Sequence, residues 1–155
     1  MKPFILLIAV FVAFIVISRF TTGDWNLSFG GNLAMCLMLC FTAAGHFMFT
    51  KGMSMMVPAV IPFKTQLVYL TGVIEIILGI LLLFPSVRPY SGWILIVFFI
   101  LITPANILAT LKQVNIEKGT FDGPATNYLW FRIPLQFLFI GWVYYFISFC
   151  QKADI

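Results

Sequence analysis

Read for its apolar and polar positions alone, the chain divides into five apolar stretches, at about Pro3–Ser18, Asn32–Thr50, Gln66–Phe84, Ser91–Leu111 and Tyr128–Cys150. Each comes close to the roughly 20 residues a helix needs to cross a hydrocarbon core of about 30 Å. The breaks between them are recognisable: Gly23-Asp24 after the first, Pro85 to Pro89 after the third, Gly119 to Pro124 before the fifth. Inside lipid every backbone polar group has to be bonded within its own segment. These runs are too long and too continuously apolar for barrel strands, so the pattern predicts spanning helices. The expected fold class is therefore all-α, a polytopic membrane protein forming a single transmembrane domain over residues 1–155. The first stretch follows Lys2 as a signal peptide would, yet it ends in Val16-Ile17-Ser18-Arg19 with no small-x-small cleavage site, and it is counted as a span.

The connection between Lys51 and Lys64 breaks the pattern. From Gly52 to Phe63 it is apolar, too short to span, and interrupted by Pro58 and Pro62. It predicts a cap or re-entrant segment at the membrane interface. Two readings are open: a linker resting on lipid headgroups, or a flexible lid whose methionines, Met56 among them, offer an adaptable apolar surface.

Composition sharpens the class. With 62% hydrophobic and 9% charged residues, the chain has too little polar surface to cover a soluble globule. The net charge of +4 comes from lysines and arginines scattered singly, which suits membrane flanks and argues against nucleic acid. On a five-span path Lys2, Lys51, Lys64, Lys112 and Lys118 fall on one side and Arg19, Arg88 and Lys152 on the other. That bias predicts a cytoplasmic N-terminus and an outward C-terminus. Cys36, Cys40 and Cys150 have neither metal-ligand nor redox spacing and read as packing residues.

The candidate chemistry lies in the few polar residues within the spans. Because successive helices alternate in direction, His46, Glu75, Asn106, Arg132 and Gln136 all fall in the same half of the membrane. Glu75 is the centre of the set. It shares a helix stripe with Gly72 and Gly79, and small residues mark where a neighbouring membrane helix packs closely. An ionised carboxylate at that depth costs at least several kcal/mol, so Glu75 has to be paired, neutral or in contact with a wet cavity. Arg132 and Gln136 form an i, i+4 pair on one face, and Arg132 either reaches inward to pair with Glu75, the expectation preferred here, or snorkels to the headgroups. Asn106 and Gln136 serve a ligand or bridge helices, the latter worth about 1 kcal/mol or less per contact. His46 is a site residue or an interfacial one bonded to a neighbour. Pro104 and Pro134 each remove a backbone donor and leave a carbonyl open one turn earlier.

Gly45-His46-Phe47, Met56-Val57-Pro58 followed by Pro62, Thr71-Gly72-x-x-Glu75, Pro104-Ala105-Asn106-Ile107 and Arg132-x-Pro134-Leu135-Gln136 occur in that order. The series resembles the DoxX-like family of small bacterial integral membrane proteins, over about Asn32 to Phe149. The resemblance implies a four-helix DoxX-like bundle to which the first helix is an N-terminal addition, in a multi-pass bacterial inner membrane protein. It departs from the family pattern at Asn32, which stands near where an arginine often occurs. Members are linked to thiosulfate oxidation, quinone reduction and membrane redox stress. The co-leaflet polar set beneath the Met-rich connection leads to the main expectation, an intramembrane polar cavity for a small lipophilic molecule such as a quinone, in a membrane redox or stress-related process. Glu75 would exchange a proton with His46 assisting, and Asn106, Arg132, Gln136 and Met56 would bind the ligand. No Fe–S cysteine set, trusted haem-ligand pair or nucleotide-binding glycine motif accompanies them, so any electron carrier is a diffusible quinone or belongs to a membrane protein partner. Two other classes stay open: a non-catalytic assembly factor or chaperone, and a sterol-isomerase-like lipid enzyme.

Overall fold

The computed structural model describes residues 2–21, 23–58, 60–123 and 129–148, and gives the backbone alone for residues 129, 131 and 132. Six helices follow one another: α1 (Lys2–Thr21), α2 (Leu27–Met48), α3 (Thr50–Met56), α4 (Lys64–Leu81), α5 (Arg88–Leu111) and α6 (Leu129–Ser148). Among the described residues α1, α2, α4 and α5 are long and apolar enough to cross a membrane. At about 1.5 Å per residue these helices, the shortest of 18 residues and the longest of 24, match a bilayer's apolar thickness.

The helix ends differ from the apolar stretches for local reasons. α2 begins before Asn32 because the Asn26 side chain accepts from the Phe29 amide at 3.2 Å and caps the first turn. Asn32 lies a full turn inside, 2% exposed, its amide donating to the Ser28 carbonyl at 2.7 Å. Pro89 sits in the first turn of α5, where its missing N–H costs nothing. The α1–α2 turn passes through Gly23 at φ 79, with Arg19 donating to the Gly23 carbonyl and lying 5.6 Å over the Trp25 ring. Tyr128 and Cys150, the expected limits of the last span, lie outside the described residues.

α2 is the central helix. It buries ten residues against three for α1, and packs on α1, α4 and α6. Met35, Met38 and Leu39 of α2 meet Leu7, Leu82, Leu95 and Val143 in the main core, all within 2% of complete burial. α5 pairs with α6 through Phe99 and Phe139, 6.1 Å apart, and α6 bonds back to α2 through Trp142 Nε1 and the Gly31 carbonyl at 3.1 Å. α1 is peripheral, held chiefly by α2 and by the Phe11 ring edge-on to Trp142 at 5.1 Å.

The apolar connection between Lys51 and Lys64 resolves into two parts. Its first half is α3, which packs on α4 and α5. Met56 is buried there in a small second cluster with Ala109 and Val114. Its second half carries Val60 and Phe63 outward, 92% and 74% exposed. Lys2 Nζ lies 3.1 Å from Glu117, and the Lys51 stem lies against Gly119. These contacts gather the start of α1, the start of α3 and the 112–123 loop at one end of the bundle.

Candidate functional site on the α2–α4 seam

Two i, i+4 pairs face each other across the antiparallel α2–α4 seam. Thr42 and His46 stand one turn apart on α2, Thr71 and Glu75 one turn apart on α4, and the register sets Thr42 opposite Glu75 and His46 opposite Thr71. The helices come this close because Gly72 lies against His46, where a Cβ would meet the His46 Cβ at 2.9 Å. A second glycine, Gly79, lets the seam close on Leu39 and Cys36 further along. The expected small-residue stripe of Gly72, Glu75 and Gly79 is therefore the face α4 turns to α2, and all three are buried.

Glu75 is 4% exposed, eleven residues into α4 and so roughly 16 Å from its start. Its Oε2 accepts from Thr42 Oγ1 at 2.9 Å, and its Oε1 lies 3.4 Å from His46 Nε2. The other imidazole nitrogen, Nδ1, is 3.0 Å from the Val68 carbonyl and 3.1 Å from Thr71 Oγ1. Thr71 in turn donates to the same Val68 carbonyl at 2.9 Å, and Thr42 also lies 3.0 Å from the Leu39 carbonyl. The result is a continuous chain from the Val68 carbonyl through His46 and Glu75 to Thr42. Its two ends differ in access: the His46 side chain keeps 16% of its surface exposed and the Glu75 side chain 5%. Beside His46, the rings of Phe47 and Tyr69 stack at 5.7 Å.

The structure thus brings His46 and Glu75 together, and the contacts it gives Gln136 and Met56 lie elsewhere. Gln136 donates to the Phe99 carbonyl at 2.9 Å, where Thr103 also donates at 2.8 Å, in the turn whose hydrogen-bond ladder Pro104 interrupts. Gln136 is a bridge between α5 and α6 rather than a partner of Glu75. Asn106 is half-buried on α5, its carbonyl taken by Thr110 Oγ1 at 3.0 Å, and among the described residues the hydrogen bond to Glu75 comes from Thr42. Met56 belongs to the apolar cluster beneath α3, although its neighbour Met53 reaches the α2 end at Gly45. Arg132 lies in the first turns of α6 with its side chain outside the description, and the expected Arg132–Glu75 pair lies outside the described residues with it.

Thr71 and the Val68 and Leu39 carbonyls are the participants that sequence reasoning missed. Thr42, one turn before His46, is another. The available signal was the matching spacing, threonine then histidine at four residues and threonine then glutamate at four, on helices joined by one connection.

A second buried polar group lies at the opposite end. Arg88, counted above as a flanking charge, is 3% exposed, with Nε donating to the Leu82 carbonyl at 2.9 Å and Nη1 to Ser28 Oγ at 3.0 Å. Ser91 beside it donates to the Leu78 carbonyl at 2.8 Å. Arg88 ties α5 to α2 and to the end of α4, so it is an interior residue.

No curated protein and no solved structure matches the chain. A family match runs from the middle of α2 to the end of α6 and leaves out α1. By that match over residues 35–147, the chain belongs to the family described as a domain of unknown function, DUF8561.

Proposed function

We propose that this chain is a multi-pass integral membrane protein, DoxX-like in its α2–α6 bundle, whose α2–α4 seam holds an intramembrane site for a small lipophilic molecule. A quinone in a membrane redox or stress-related process is the leading ligand class. The reading as a membrane protein is supported by four helices of spanning length and by the apolar side chains on their outer faces, such as Ile17, Leu37, Phe41, Ile77, Ile94 and Leu101, each more than 40% exposed. The lysine-rich end, with Lys2, Lys51, Lys64, Lys112 and Lys118, faces the cytoplasm in this reading, which places His46 and Glu75 in the cytoplasmic half of a bacterial inner membrane.

The observation that carries the site is the His46–Glu75 contact. A carboxylate and an imidazole, both titratable and both within a spanning helix pair, stand 3.4 Å apart, and the imidazole is the more accessible partner. That separation exceeds the roughly 2.9 Å of an ordinary N–H···O bond, so the direct contact is a weak one. The test is purification in native lipid and mass spectrometry of the extracted small molecules. A bound quinone or other lipophilic molecule that Glu75→Gln loses is the expected result, and an empty wild-type protein refutes it.

One observation favours a second reading. Among the described residues every buried side-chain nitrogen and oxygen has a hydrogen-bond partner within the protein. This suits a non-catalytic assembly factor whose polar groups lock the helices while an outer face docks a membrane protein. Stoichiometric capture of one membrane protein, unchanged by Glu75→Gln, would favour that reading over the ligand site.

A further inference from the structure

The hydrogen positions around His46 follow from its acceptors. The Val68 carbonyl can only accept, so an imidazole nitrogen 3.0 Å from it carries a hydrogen. Thr71 has a single hydroxyl hydrogen and stands 2.9 Å from the same carbonyl, leaving its oxygen to face Nδ1 as an acceptor. With Nδ1 protonated, the space between Nε2 and Glu75 Oε1 admits three inventories. With no proton there, a lone pair faces a carboxylate and a net negative charge is buried in an apolar seam. With two, opposed hydrogens meet and the pair is positive. With one proton, on either atom, the pair has no net charge and both atoms are satisfied.

We propose that the seam takes its ligand through a hydroxyl group: an uncharged lipophilic alcohol or phenol whose oxygen bridges His46 Nε2 and Glu75 Oε1, the two atoms parting from their 3.4 Å contact to admit it. This rests on the reading that the site binds a lipophilic molecule, and it specifies the group that binds. A single shared proton means that an entering oxygen meets one donor and one acceptor, whichever atom holds the proton. A hydroxyl supplies one hydrogen and accepts one. A carbonyl or ether oxygen only accepts, and would leave either the carboxylate or the imidazole lone pair without its bond, so of a quinone and its reduced quinol the seam takes the quinol. Charged headgroups are excluded because they would break the neutrality of the pair. Access is from the His46 side, past the stacked Phe47 and Tyr69 rings, which are 45% and 42% exposed and offer flat apolar surfaces to an aromatic ligand.

His46 is the only histidine in the chain, so an imidazole 15N signal has one source. The experiment uses the full chain labelled with 15N-histidine in phosphatidylcholine nanodiscs, titrated with 4-nonylphenol and, separately, with its methyl ether. Without probe, the spectrum is expected to give a protonated Nδ1, and an unprotonated Nδ1 overturns the proton inventory. The phenol is expected to shift Nε2 saturably, with the ether roughly tenfold or more weaker, the usual penalty for a site left with an unpaired polar group. Equal binding of the two overturns the hydroxyl assignment and leaves the lipophilic site standing. A signal that neither probe moves overturns the site and the assignment with it. Glu75→Gln should abolish the preference for the phenol; if that variant does not fold, the wild-type comparison decides alone.

Discussion

Replacing Gly72 by alanine separates a helix seam set by contact from one set by composition. An added Cβ at Gly72 would stand 2.9 Å from His46 Cβ, 3.3 Å from His46 Cγ and 3.4 Å from Phe47 Cε2. The nearest atom is fixed to the α2 backbone rather than being the end of a flexible side chain, so relief requires the helices to separate. Overpacking of this kind costs about 1–3 kcal/mol, and the helix gains roughly 0.5–1 kcal/mol from losing a glycine. At Gly79 the nearest atom would be Leu39 Cβ at 3.4 Å, followed by backbone atoms of Cys36 at 3.5 Å, which a small adjustment absorbs. Gly72→Ala should therefore lower stability by about 1–2 kcal/mol while Gly79→Ala is neutral or raises it by up to about 1 kcal/mol. Thermal or denaturant unfolding of the two variants in the same detergent measures the difference, and the His46 15N signal should move in the first variant alone. Equal stability of the two would refute the argument, because it would mean that α2 and α4 do not close on Gly72.

Thr42→Val keeps the shape of the side chain and removes the donor to Glu75 Oε2, so unfolding in detergent should register a loss of about 1.5–3 kcal/mol. Arg88→Met deprives the Leu82 carbonyl and Ser28 of a buried partner and should cost about 2–4 kcal/mol, whereas the exposed Arg19→Ala should stay within about 0.5 kcal/mol in the same assay. Gly52→Ala would drive a Cβ into the Ile116 carbonyl, and limited proteolysis should then cut the 112–123 loop faster than in wild type. The Thr120 hydroxyl, hydrogen-bonded to Asp122, holds that carboxylate below the ordinary aspartate range. A lowered folded value means that the stabilising contribution is present above the ordinary aspartate value and disappears as pH falls through the folded one. The protection factors of the Asn115, Lys118 and Gly119 amides, corrected for intrinsic exchange, should fall over that acid interval, and protection that does not change with pH would contradict it.

The long helices were legible because spanning length and continuous apolarity are properties of a segment by itself. Their ends were not, since a side-chain cap or a backbone turn can start or stop a helix inside or outside the apolar run. Capped by Asn26, α2 begins at Leu27, five residues before the expected Asn32, and α4 ends at Leu81 although the apolar run continues to Phe84. The central residue was legible for a related reason: a carboxylate in the middle of an apolar run, on a stripe with two glycines, has to face a neighbour. The identity of that neighbour needed the register between two helices. His46 came from the depth argument, while Gln136 satisfied the same depth argument and bonds to α5 instead. Depth restricts one coordinate only, and rotation about the α5 and α6 axes directs Gln136 to the Phe99 carbonyl.

Arg88 exposes the same limit from the opposite side. A basic residue at the edge of an apolar run looks identical in sequence whether it extends to the headgroups or folds inward, because a guanidinium on a long stem can do either. What decides between them is whether acceptors wait inside. Here the early start of α2 brings Ser28 within 3.0 Å of Nη1, and the turn after α4 presents the Leu82 carbonyl at 2.9 Å from Nε. Both acceptors exist only because Asn26 starts α2 early and α4 stops short, the two boundaries that the apolar pattern misplaced. The errors in helix ends and the error in assigning Arg88 to the surface therefore have one origin. The Asn26 cap fixes where α2 starts and the backbone turn at Leu82 where α4 stops, and those two ends give Arg88 its buried partners.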